Sequence, residues 1–332
     1  MKKHRILLAL LVIALIAVPI FGAGTAESGA AAKKMTVNVA SVFPPEGPVH
    51  ELMVEFKKLT EERSNGRITV IIHPSGALGG EREVVEAIAS GTVEMAAQGI
   101  MDLIMYMPEY TVFEEPFVIR DVEHLYKFWE TVGDEMNNLL EEKAGIITAA
   151  IAVRGSRMVT SNKEIKTPAD LKGLRFRLPQ YPVRIKVFEA FGAIPTVVDF
   201  PEVYMALKTG TVDAQENPPE TIYTYKYHEA QKYLINTAHV WSTARYQISK
   251  KWFDTISADD QNLLLAAWKD AEAHIKKISY NPDTVYIQKL VDAGMTLVQP
   301  DAEAFRKLAE PVMQEYDKTQ WAPGLRKRIM DL

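Results

Sequence analysis

Two runs decide how this chain folds: Leu174-Arg175-Phe176-Arg177-Leu178-Pro179 and Gly210-Thr211-Val212-Asp213-Ala214-Gln215-Glu216-Asn217-Pro218. In the first, alternation predicts a strand with Leu174, Phe176 and Leu178 on one face and Arg175 and Arg177 on the other. Pro179 ends it. In the second, Gly210 closes a helix within residues 200–208 and residues 212–215 open another strand, which leaves Asn217 near its end. One strand delivers a guanidinium and the other an amide. Arginine suits a carboxylate because its planar, permanently charged fork offers two parallel donors. An arginine at the end of a buried strand requires a partner. That partner is either a bound anion or an internal acid, for which Glu216 is a candidate.

Outward from these runs the pattern stays α/β. Thr167-Pro168-Ala169-Asp170 has the order of a capped helix start, with Thr167 as N-cap and Asp170 in capping-box position. Residues 182–191 read as a helix and 194–198 as a strand. Upstream, 35–42 alternates as a strand, and Val49, Leu52, Met53, Phe56 and Leu59 mark one face of a helix. Residues 68–72 are nearly all β-branched, the composition of a strand buried on both faces. Gly76-Ala77-Leu78-Gly79-Gly80 lacks the Gly-Lys-Ser/Thr ending of a phosphate loop and is read as a tight turn before a helix. That helix ends at Gly91, and Thr92-Val93 opens the next strand. The order βαβαβ predicts a parallel sheet, with ligands beyond the carboxyl ends of its strands.

The chain also repeats itself. Ala87-Ile88-Ala89-Ser90-Gly91-Thr92-Val93-Glu94 corresponds to Ala206-Leu207-Lys208-Thr209-Gly210-Thr211-Val212-Asp213 at a constant offset of 119 residues. Two similar α/β lobes facing each other across a cleft account for this. The same offset sets Gln98 opposite Asn217 and makes Gln98 a candidate contact. Residues 121–143 read as helix, 146–153 as a buried strand, and Arg154-Gly155-Ser156-Arg157 places two arginines just past it. Farther on, 246–249 and 295–298 read as strands and 302–320 as an amphipathic helix. Residues 258–293 carry one helical pattern with Pro282 inside it. At 1.5 Å per residue such a helix is roughly 50 Å long, longer than one lobe, so it spans both and kinks at Pro282.

Composition narrows the function. The chain has 332 residues, 47% hydrophobic and 24% charged, enough for two well-buried domains. A net charge of -5 argues against a general nucleic-acid binder. With no cysteine, disulfides, thiolate catalysis and Cys-ligated zinc are excluded. The seven histidines show neither metal-ligand spacing nor a nucleophile partner, and no cofactor motif is present. Lys2, Lys3 and Arg5, then an apolar run over 6–21, then Gly22-Ala23-Gly24-Thr25-Ala26 predict a cleavable secretory signal peptide over 1–26. Residues 27–34 are expected to be a disordered lead-in. The domains expected are lobe I over 35–154 plus 243–281 and lobe II over 155–242 plus 282–332.

Thr167-Pro168-Ala169-Asp170-Leu171-Lys172-Gly173-Leu174-Arg175-Phe176-Arg177-Leu178-Pro179, Gly192-Ala193-Ile194-Pro195-Thr196, Pro201-Glu202-Val203-Tyr204 and the run ending Gln215-Glu216-Asn217-Pro218 closely resemble the DctP-type substrate-binding proteins of TRAP (tripartite ATP-independent periplasmic) transporters. The resemblance runs from about residue 35 to the C-terminus. It implies a two-lobed periplasmic binding protein fold and a monomeric receptor that hands a small organic acid, a dicarboxylate or sugar acid, to a small and a large membrane subunit. It places the carboxylate-gripping arginine on Arg177, the orienting amide on Asn217, a second basic contact on Arg157 and a packing aromatic on Phe200. Pro201 stands where serine is usual, and Gln98-Gly99 where many members carry an acid. Trp241 and the tyrosines that precede it add an aromatic candidate for a larger ligand. The competing readings are a secreted lyase acting on organic acids and a sensor feeding a partner other than a transporter.

Overall fold

The computed structural model describes residues Lys34–Leu332; the predicted signal peptide and all but the last residue of the lead-in lie outside them. In chain order the strands are β1 (Met35–Ser41), β2 (Ile68–His73), β3 (Met95–Gln98), β4 (Ile146–Ser156), β5 (Met158–Ser161), β6 (Arg175–Leu178), β7 (Ile194–Val197), β8 (Ala214–Asn217), β9 (Tyr233–Ile235), β10 (Trp241–Ser249) and β11 (Thr296–Val298). They form two sheets, ordered β2-β1-β3-β10-β4 and β11-β9-β5-β8-β6-β7. In the first, β2, β1 and β3 run parallel, and β10 lies antiparallel between β3 and β4. In the second, β7, β6 and β8 run parallel, and β5 lies antiparallel between β8 and β9.

The internal repeat is a repeat of structure. Gly91 (φ 80°) and Gly210 (φ 69°) both take the left-handed conformation that ends the preceding helix. Thr92 N and Val93 N both donate to Ala87 O, and Thr211 N and Val212 N both donate to Ala206 O. The hydroxyl pairs Ser90–Thr92 and Thr209–Thr211 are each 3.0 Å apart. Both turns deliver a strand with a parallel neighbour on one side and an antiparallel one on the other, β3 in the first sheet and β8 in the second.

The sheets meet where the chain crosses between them. Arg157 alone separates β4 from β5, and its backbone N donates to Val240 O at 2.7 Å, just before β10 begins. The capping box at Thr167–Asp170 is formed. Two expectations need correction. β2 alternates buried and exposed side chains, with Ile71 43% exposed, because it is an edge strand with its apolar contacts on one face only. The pattern over 258–293 is also two helices, Ala258–Ile278 and Asp283–Asp292, separated by Ser279–Pro282. Proline has no N–H to give and disfavours helical backbone in the residue before it, so the helix stops rather than bends. The first of these helices packs on Gly47–Arg63 beneath the first sheet, where Phe56 and Trp268 stack at 3.7 Å.

Candidate functional site

The carboxyl ends of the parallel strands of both sheets converge on one cavity of about 20 Å³. Phe43 follows β1, Gly99 follows β3, Pro179 follows β6, and Asn217 ends β8. Arg154 and Arg157 come from the crossing, Phe200 from the turn after β7, Glu81 from the first residue of helix Glu81–Ser90, and Tyr181 and Glu114 complete the wall. A second cavity of about 140 Å³ shares Glu81, Arg177, Pro179 and Phe200 with it. Arg177 and Phe200 thus line both cavities.

Three arginines enter the first cavity in two electrostatic states. Arg157 is committed to protein acceptors. Its Nε bonds Glu216 Oε2, and Nη2 donates to Glu216 Oε1 at 2.8 Å, to Glu216 O at 2.7 Å and to Asn217 Oδ1 at 3.1 Å. Glu216 also faces Arg184 at 3.6 Å and His239 at 3.2 Å. Burial alone would raise the Glu216 pKa, but Arg157 and Arg184 overcome it and hold the carboxyl well below the usual range. The internal acid that the sequence offers to Arg177 is therefore taken by Arg157 and Arg184.

Arg177 and Arg154 have no such partner. Arg177 is 1% exposed; its Nε donates to Val198 O at 2.9 Å. Arg154 is 5% exposed and gives Nη2 to Thr221 Oγ1 at 2.8 Å. Among the described residues no carboxylate lies within salt-bridge distance of either, in contrast to Arg157, Arg184 and Arg245. Burial lowers both pKa values, the direction expected of cations without a counter-ion. Aromatic faces partly compensate: Arg154 lies 4.7 Å from the Phe43 ring and 5.7 Å from Phe200, and Arg177 lies 5.9 Å from Phe200. Opposite them, burial pushes the Glu81 carboxyl up against the pull of Arg177 and Arg154. Any Cβ at residue 99 would come within 2.9 Å of Glu81 Oε1 and 3.0 Å of Tyr181 Oη, so glycine keeps that wall open.

A β-bulge turns Arg154 inward. Ser242 pairs with Gly155 and Thr243 with Val153, so Arg154 has no partner across the ladder. Bulges re-aim a side chain in this way.

Of the residues predicted from sequence, Arg177, Asn217, Arg157 and Phe200 share the cavity. Gln98 and Trp241 are not among its lining residues. Gln98 Nε2 donates to Gln247 Oε1 at 2.6 Å within the first sheet, and Trp241 Nε1 donates to Arg120 O at 3.2 Å. The repeat therefore diverges at its last step: Asn217 reaches the cavity, whereas on the first sheet it is Gly99, one residue past Gln98, that lines it. Sequence reasoning noted Arg154 beside Arg157 but assigned a contact only to Arg157, and it missed Glu81, Tyr181, Phe43 and Glu114. The rule that ligands lie beyond strand ends would have found Phe43, and the glycine turn before a helix would have pointed to Glu81. Among the described residues no group of three or more His, Asp or Glu side chains is placed to hold a metal ion.

Known proteins share this architecture. The 2,3-diketo-L-gulonate-binding periplasmic protein of Escherichia coli (strain K12) is 32% identical over 259 residues, covering 77% of this chain and 79% of that protein. The crystal structure of a TRAP periplasmic solute-binding protein from Roseobacter denitrificans with bound L-galactonate superposes with a TM-score of 0.83 at 28% identity, covering 90% of this chain and 98% of that one. One from Shewanella oneidensis with bound succinate gives a TM-score of 0.85 at 25% identity, covering 90% and 99%. Over residues 39–319 the chain matches the DctP family, bacterial extracellular solute-binding protein family 7, and it belongs to that family.

Proposed function

We propose that the protein captures a small organic carboxylate between two lobes outside the cytoplasm and delivers it to the small and large membrane subunits of a TRAP transporter. The family is one of solute-binding proteins, not enzymes, which sets aside the lyase reading. The observation that carries the ligand class is the pair of buried guanidiniums, Arg154 and Arg177, that face one cavity with no protein carboxylate within salt-bridge distance of either. A ligand carboxylate there supplies the missing counter-charge. In this reading Arg177 makes the main contact through its two Nη atoms and Arg154 the second. Arg157, held by Glu216, orients Asn217, and Phe200 excludes water between the two cations.

Relatives carry names or bound ligands that include 2,3-diketo-L-gulonate, L-galactonate and succinate. Glu81 and Tyr181 opposite the arginines favour a hydroxylated monocarboxylate: both can hydrogen-bond hydroxyls, and neither offers a cation to a second carboxylate. The arginine-lined cavity of about 20 Å³ is far below the ~300 Å³ of a usual small-molecule site. The lobes, 35–154 with 243–281 and 155–242 with 282–332, therefore part to admit the acid, and the two crossing segments and the helix break serve as hinges. The basic, apolar and small-residue N-terminal pattern, together with the periplasmic relatives, supports export. A thermal-shift panel of succinate, L-galactonate and 2,3-diketo-L-gulonate tests the class. A ligand at 100 times its Kd stabilises by about 2.7 kcal/mol, and a flat response to every acid would overturn the reading.

A further inference from the structure

The break between the two helices is tied to the arginine-bearing crossing. Asp283, the first residue after the break, is 8% exposed, and its Oδ1 and Oδ2 each accept from Ser156 N at 3.1 Å. Oδ2 also accepts from Ser156 Oγ at 2.7 Å. Among the described residues no Lys, Arg or His lies within salt-bridge distance of this carboxylate; its hydrogen-bond donors are both on Ser156. The neighbouring position is shaped to admit it. Gly155 has φ +106°, and a Cβ there would lie 2.0 Å from Asp283 Oδ1. Gly155 and Ser156 are flanked by Arg154 and Arg157, the two cavity arginines of the crossing, and Gly155 follows directly on the bulge that turns Arg154 inward.

We infer that Asp283 is a positioning residue. It clamps Ser156 so that the bulge presents Arg154 and Arg157 together, and it joins the helix break at Ser279–Pro282 to the strand crossing, so that the two hinges move as one. Without the clamp, the crossing can flex while the helix break stays fixed, and the two sheets sample a wider range of separations. The inference concerns the hinge and not the identity of the bound acid. Its failure therefore leaves the carboxylate reading untouched.

The test uses the ligand-free chain. Because the sequence has no cysteine, Lys58→Cys and Lys186→Cys, at exposed positions on helices Gly47–Arg63 and Pro182–Ala190, accept two spin labels and no others. Pulsed electron paramagnetic resonance then reads the distance between the sheets. In Asp283→Ala and in Asp283→Leu, which fills the same space without an acceptor, the distribution should broaden and gain a longer-distance population. Asp283→Asn, whose amide oxygen still accepts from Ser156, should retain the wild-type distribution. A role confined to stability would lower the melting temperature but leave the distances unchanged well below it. Wild-type distances in the Ala or Leu variant, an Asn variant that behaves like Ala, or failure of all three variants to fold would each overturn the inference. If only the Ala variant fails to fold, the Asn and Leu variants decide.

Discussion

Replacement of Arg177 by alanine separates a ligand-binding arginine from a structural one. In the structure its Nε is spent on Val198 O, and no protein carboxylate lies within salt-bridge distance of it. Truncation removes one hydrogen bond, worth about 1 kcal/mol, and relieves the desolvation of a buried cation. The two effects oppose, so the ligand-free stability should move by no more than about 1 kcal/mol in either direction. Binding should respond very differently. Loss of one partner of a buried, hydrogen-bonded charge pair costs roughly 2–5 kcal/mol, about 30- to 5,000-fold in Kd. Calorimetric titration of the acid that gives the largest thermal shift measures the second quantity, and urea denaturation of the free protein measures the first. Arg177→Lys keeps the charge but loses the fork and the bond to Val198, and should fall between. An unchanged affinity in Arg177→Ala would refute the assignment. So would a loss of several kcal/mol in the free protein, because that would reveal an internal partner for the arginine.

The opposite outcome is expected at Glu216. Glu216→Gln leaves Arg157 and Arg184 buried without their shared counter-charge, and should destabilise the free protein by about 3–5 kcal/mol in denaturant titrations. Stability should also depend on pH through acids that burial pushes up: Glu115 to about 8, Glu272 to about 7 and Asp283 to about 6. Between the ordinary carboxylate range and these values the folded state holds protons that the unfolded state has released, so stability should fall as pH rises from about 5 to 8. Glu115→Gln should flatten that slope and gain stability near pH 8; an unaltered slope would show that Glu115 does not contribute. Glu216 acts in the opposite direction, contributing stability above the ordinary carboxylate range that is lost only in strong acid. Phe56→Ala removes a fully buried ring stacked on Trp268 and should cost about 3–5 kcal/mol by thermal or chemical melting.

Local signals made much of this legible. Alternation placed Arg177 on the strand face opposite its core residues, and a terminal glycine plus Thr-Val revealed that β3 and β8 are equivalent. The partners were not legible, because they depend on long-range register. Glu216 and Arg157 are 59 residues apart and meet only because β5 and β8 run antiparallel with Met158 opposite Asn217. Nothing local distinguishes Arg157, which that register neutralises, from Arg154, which a bulge leaves without a carboxylate. Gln98 failed for a related reason. Residues one apart on a strand end face opposite ways, so a repeat that is exact in backbone can still differ in which residue reaches the cavity. The helix break was visible as Pro282, but periodicity continued on both sides and hid the gap.

β10 carries a kinetic consequence. All nine of its residues are buried, and it fills the slot between β3 and β4 in the first sheet. Arg245 pairs with Gln98 and Ile151, so a strand of the final third of the chain closes a sheet begun in the first. Until residues 241–249 have emerged from the ribosome, β3 and β4 have no common neighbour and the first core lacks a wall. Closure waits on pairings distant in sequence, Arg245 with Ile151 and, farther still, with Gln98, the condition under which folding is slow. The first sheet of a nascent chain of this design is therefore completed only once residues 241–249 are made, and a fragment that ends before β10 should lack a closed first core.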